Sequence, residues 1–92
     1  MAYSDMNMDI APETGLSADT ATGEELHRVG LAYAEGVDCE QDHVAAHKWF
    51  NLAVLKGYDE AKICREEMAD LLEKEDIKAA LQAARAWLQL AN

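Results

Sequence analysis

From Thr22 onward the apolar positions of this chain recur at helical spacing; before it they do not. Leu26, Val29, Gly30 and Tyr33 share one face of a helix. Thr22 and Glu25 form a capping box to start it, and Gly36 suits its stop. The segment "GVDCEQD" reads as a loop. A second helix is predicted from about His43 to Lys56, with Ala46, Trp49, Phe50 and Ala53 on its inner face and Gly57 as its cap. Between Asp59 and Leu90 there is no Gly, Pro or Asn, so propensity alone permits one long rod. The stripes argue for two helices. Ala61, Cys64, Met68 and Leu72 share one face, whereas Ile77, Ala80, Leu81, Ala84, Leu88 and Ala91 share another. At about 100° per residue, the step from Leu72 to Ile77 rotates the stripe by roughly 140°, which a turn near Glu73–Asp76 absorbs. Residues 22–92 are therefore expected to form an all-α fold of four helices, arranged as two stacked antiparallel hairpins.

Residues 1–21 follow a different rule. They hold the single proline, Pro12, among Asp, Thr, Ser, Ala and Gly, and read as a flexible acidic tail. Within it "DMNMDI" alternates polar and apolar, which places Met6, Met8 and Ile10 on one side if extended. Such a strip could line a groove of this protein or of a partner.

Half of the 92 residues are hydrophobic and 28% are charged, which fits one small globular domain. The formal charge of -10 opposes nucleic acid and anionic membranes, and it favours basic or apolar partners. No segment approaches the roughly 20 apolar residues of a membrane span. The N-terminal stretch has neither the basic nor the apolar run of a secretory signal, so the cytoplasm is the expected compartment. Cys39 and Cys64 would there be reduced and serve as small buried hydrophobes.

The segment Glu25–Ala61 resembles one SEL-one-like repeat, a relative of the tetratricopeptide repeat. The family pattern is carried by Val29-Gly30, Tyr33, Gly36, Asp42, Ala46, Trp49, Ala53, Gly57 and Ala61, with every spacing kept. "KWFNLA" is also similar to the second helix of many bacterial members. Glu25 stands where Ala is usual, Asp38-Cys39 replaces a Gly-Val pair, and Val54 takes the second position of an Ala pair. Asp tolerates a left-handed backbone better than most residues, so the loop can still close. One period further on, Arg65, Glu66 and Ala69 occupy the Leu-Gly-Tyr positions. The second hairpin therefore resembles the degenerate C-terminal cap that follows the last repeat. The resemblance implies that Gly30 faces Ala46 or Ala53, that Tyr33 and Trp49 fill the space between paired helices, and that Ala61 lets the next hairpin stack. One repeat and a cap is a short array, so the tail, self-association or a partner is expected to supply further burial.

His43 and His47 lie one helical turn apart beside Asp42, a spacing that metal sites use. A zincin needs Glu after the first His; here Val44 follows, so the base is absent. Both histidines fall roughly 60–100° from Ala46, at the shoulder of the buried stripe, where a ring can pack and keep one nitrogen wet. Asp38, Glu40 and Asp42 alternate like the opening of a calcium loop. But His43 replaces the bend glycine and Trp49 the bidentate Glu. No nucleophile pair or glycine-rich phosphate loop is visible, so neither catalysis nor a cofactor is expected.

Leu31 lies roughly 140° from the first helix's seam, and Ile63 roughly 160° from Ala61 on the third. Tetratricopeptide-like stacks line their concave groove with the first helix of each pair. By that analogy His27, Leu31, Ala34 and Glu35 form one wall with Ile63, Glu67 and Asp70. An apolar floor with an acidic rim suits a peptide or protein carrying Lys or Arg among apolar residues. The expected function is thus a non-catalytic adaptor. The alternatives are an accessory subunit of a larger assembly, a homo-oligomer joined through the same groove, and a metal-binding protein or hydrolase using His43 and His47.

Overall fold

Local chemistry sets the helix boundaries in the computed structural model, which describes residues 10–91. Helix α1 spans Gly23–Glu35, α2 His43–Leu55, α3 Ala61–Leu71 and α4 Lys74–Leu88. Thr22 is extended, and its hydroxyl accepts the Glu25 N–H at 3.1 Å while the Glu25 carboxylate accepts the Thr22 N–H at 2.9 Å. The capping box satisfies two donors that water would otherwise have to reach. At the far end of α1, Gly36 adopts φ 73, and its N–H and that of Val37 both reach the Ala32 carbonyl. Asp38 takes φ 58, the left-handed role expected of it. The loop then folds back, so that the Gln41 side chain donates to the Ala34 carbonyl and the Asp42 N–H to that of Tyr33. Three terminal carbonyls of α1 are satisfied within seven residues of the chain's exit.

Asp42 starts α2 by accepting the Ala45 N–H at 3.0 Å. Gly57, at φ 94, closes it, with the Gly57 and Tyr58 N–H groups on the Val54 and Ala53 carbonyls. The break after α3 falls at Leu72 and Glu73, both extended, and Glu73 and Asp76 cap the start of α4 reciprocally. Lys74–Asp76, predicted as part of a turn, already form the first turn of α4.

The fold is all-α, with four helices and no strand among the described residues. Helix α2 is its centre, and α1, α3 and α4 all pack on it. By contrast, α1 and α3 make little contact with each other, as do α3 and α4. The composition of α2 explains this. Ala46, His47, Trp49, Phe50, Leu52 and Ala53 are all buried, so the helix is covered on most sides. Trp49, Phe50 and Leu52, with Leu26 of α1, are the largest fully buried side chains. Each contributes about 1.5–3 kcal/mol of transfer free energy.

Packing departs from the expected pairing at Gly30. A Cβ on Gly30 would stand 2.6 Å from the Phe50 ring, so it is this aromatic ring, rather than Ala46 or Ala53, that comes nearest to the glycine. Trp49 also points elsewhere. It meets Trp87 of α4 edge to face, with ring centroids 5.0 Å apart, and so joins α2 to α4. On α4 the buried stripe is Ala80 and Ala84 with Trp87 and Leu88 against the core. Leu81, expected inside, is 39% exposed, and Ala91 lies past the helix end on the surface.

The expected tail is largely a strap. Ile10–Ala21 turn on themselves, bury Ala18 and Ala21 and pack Leu16 on the core. Its two ends are tied to different helices. The Tyr33 hydroxyl of α1 donates to the Glu13 carboxylate at 2.7 Å, and the Lys56 ammonium, just past α2, donates to the Ala18 carbonyl at 2.7 Å. Both ties are long-range, which no periodicity could announce. Met6 and Met8 of the alternating strip lie outside the described residues; Ile10 is 56% exposed.

Candidate interaction surfaces

The predicted wall is divided between two levels of burial. His27, Leu31 and Ala34 of α1 are half-buried, and Leu31 and Ala34 pack directly on the core. Leu31 is thus a packing residue with one accessible side, and not the outward-facing anchor its helical angle suggested. Beside it, the Phe50 ring of α2 packs against Gly30 and His27 of α1. Glu35 is exposed at the end of the same helix. On α3, Ile63 is 67% exposed, with Glu67 and Asp70 exposed at helical spacing from it. The residues named on α1 and α3 therefore belong to helices that both rest on α2 and are not closely packed together.

His27 links the two helices chemically. Its ring centroid is 5.3 Å from that of Phe50 and 5.1 Å from that of Tyr58, which sits in the connection to α3. Its Nδ1 is buried with no hydrogen-bond partner. The nearby Glu60 carboxylate raises the pKa of the Tyr58 phenol above its ordinary value.

The other histidines occupy unequal environments. His47 is 4% exposed, and its Nδ1 is buried with no hydrogen-bond partner. Burial first, and the Arg65 charge second, hold its pKa below the usual imidazole value. Arg65 donates to the Asn51 amide oxygen at 2.8 Å, one turn along α2. His43 is half-exposed at the start of α2. Among the described residues no three His, Cys, Asp or Glu side chains converge in a way that could hold a metal ion. Cys39 and Cys64 are free and half-buried, and burial pushes both thiols upward, leaving them protonated at neutral pH.

Recesses indent the surface formed by the described residues. One, of about 260 Å³, lies between the strap and α1 and is lined by Pro12, Leu16, Arg28 and Val29 among others. The second, of about 180 Å³, lies between α2 and α4 and is lined by Asn51, Leu55, Leu81, Ala84, Arg85 and Leu88. Sequence periodicity missed this recess, because it assigned Leu81 to the core and left Leu55 unremarked. Leu55 is 60% exposed at the last position of α2, a place where a leucine facing water is itself the signal.

No helix among the described residues is long and apolar enough to cross a membrane. Searches of family models, curated proteins and solved structures match nothing to this chain.

Proposed function

We propose that this chain is a non-catalytic protein-interaction module built as one SEL-one-like repeat with a C-terminal helical cap. It would hold a peptide or protein segment of mixed basic and apolar character along the α1 and α3 surfaces. The observation that carries the reading is Ile63: a large aliphatic side chain, two-thirds exposed, on a helix that also presents Glu67 and Asp70 to solvent. An exposed aliphatic desolvates a partner's apolar side chain, and the carboxylates select Lys or Arg beside it. Leu31 and His27, half-buried on α1, supply a firm floor rather than the anchor. The repeat assignment is supported by the positions that close the loops. Gly36 and Gly57 are left-handed, Asp42 caps α2, and Ala46, Ala53 and Ala61 are fully buried.

The test is affinity capture from the native host with the full chain, comparing wild type with Ile63→Asp and with Glu67→Lys/Asp70→Lys. Partners identified by mass spectrometry should be lost with both variants while circular dichroism is unchanged. Equal capture by all three proteins would end the proposal.

A further inference from the structure

We infer that the recess between α2 and α4 is a second docking surface, and that it takes an acidic amphipathic helix, the opposite chemistry to the α1 and α3 surfaces. The charge distribution makes the argument. The chain carries 18 Asp and Glu against 8 Lys and Arg, yet residues 77–92 contain Lys78 and Arg85 and no acid at all. At about 100° per residue, Lys74, Lys78 and Arg85 all fall within roughly 60° of Leu81 on the same flank of α4. All three cations are exposed, and among the described residues the single ion pair is Lys62 with Asp59. Arg85 thus lines a leucine recess on a strongly acidic protein, and Lys78 and Lys74 continue the same flank of α4 before Leu81, Lys74 with Glu73 and Glu75 as its chain neighbours.

Packing leaves that flank open. Helix α4 makes extensive contact with α2 alone, through Trp87 against Trp49 and through Ala80 and Ala84. Leu55 at 60% and Leu81 at 39% exposure stand on the two walls, with Ala84 and Leu88 between them. A third helix laid along this groove would place its apolar stripe on the leucines, with carboxylates on its edge facing Lys74, Lys78 and Arg85. A second copy docking by the same face would bring these cations together, and nucleic acid would meet leucines and a net charge of -10, so neither fits as well.

The inference is independent of the reading of α1 and α3, and its test uses different residues. Two labelled synthetic helices of about 18 residues, long enough to cover α4, carry the same leucine stripe. One is flanked by Glu and the other by Lys, and binding to the full chain is followed by fluorescence anisotropy. The Glu-flanked peptide should bind roughly tenfold or more tightly than the Lys-flanked one, and should weaken as salt is raised. Lys78→Glu/Arg85→Glu should reverse the preference. Leu81→Glu and, on the opposite wall, Leu55→Glu should each abolish binding with helical content retained. Equal binding of the two peptides, binding of neither, or binding indifferent to both leucine variants would overturn the inference. So would self-association of the wild-type chain at micromolar concentration that Leu81→Glu dissolves, since the surface would then belong to a second copy.

Discussion

The ring of Phe50 occupies the space that a side chain on Gly30 would need, 2.6 Å from the ideal Cβ position. This contact sets the separation of α1 and α2, and it explains why a residue of poor helix propensity stands in the middle of α1. Phe50 is 1% exposed and cannot swing away. Gly30→Ala should therefore destabilise the protein by about 1–3 kcal/mol through overpacking, although alanine alone would favour the helix by about 1 kcal/mol. Urea unfolding measures the difference. Adding Phe50→Leu should recover part of the loss, a coupling that only residues in contact show.

The strap contributes stability through named contacts. Tyr33→Phe removes the hydroxyl that Glu13 accepts and should cost about 1 kcal/mol. Leu16→Ala should cost a comparable amount, since Leu16 packs on the core while remaining half-exposed. Removing residues 1–21 should lower the melting temperature by several degrees or more, because the core loses the packing of Leu16 and Ala21 and the strap loses its ties to Tyr33 and Lys56. A chain whose first 21 residues merely trail in solvent would melt unchanged.

His47 gives the protein a defined sensitivity to mild acid. Its folded pKa lies below 6.5, chiefly through burial, so the unfolded chain takes up the proton first as pH falls. Stability should be flat above about pH 7 and decline below 6.5 until the folded pKa is reached. Denaturant midpoints between pH 8 and 5 would show the decline, and His47→Phe should flatten it. Asp19, whose carboxyl is lowered by its hydrogen bond from the Ser17 hydroxyl, titrates below its ordinary 3.8 and leaves that window clear.

Asp38 holds φ 58 in the loop between α1 and α2. Asp38→Gly should be neutral or stabilise by a few tenths of a kcal/mol. Asp38→Val should cost about 1–2 kcal/mol, because a β-branched residue resists the left-handed region. Thermal melts of the pair isolate the backbone effect, since the Asp38 side chain is exposed.

Leu31 and Ile63 should separate folding from binding. Leu31→Asp puts a charge against the core and should lower the melting temperature markedly, whatever it does to partner capture. Ile63→Asp, at a site 67% exposed, should leave melting within a degree or two. Similar melting of both variants would show that α1 turns a freer face to solvent than its packing implies.

The residue string by itself determined the parts that are local. Thr22 with Glu25, Gly36, Asp38, Asp42 and Gly57 act within four residues of their own backbone, so a cap or a left-handed turn is legible from the residues that make it. The buried faces of α2 and α3 were legible too, because period alone selects Ala46, Trp49, Phe50, Ala53, Ala61 and Met68. A helical angle, however, measures a residue only against its own axis. Whether Leu31, Leu81 or Trp87 is covered depends on where the neighbouring helix lies, and that depends on large side chains such as Phe50 and Trp49 meeting partners far away in sequence. The strap was illegible for the same reason. Its anchors, Glu13 to Tyr33 and Ala18 to Lys56, span 20 and 38 residues, and their value exists only once α1 and α2 are paired. Tertiary packing thus decided which leucines stayed in water.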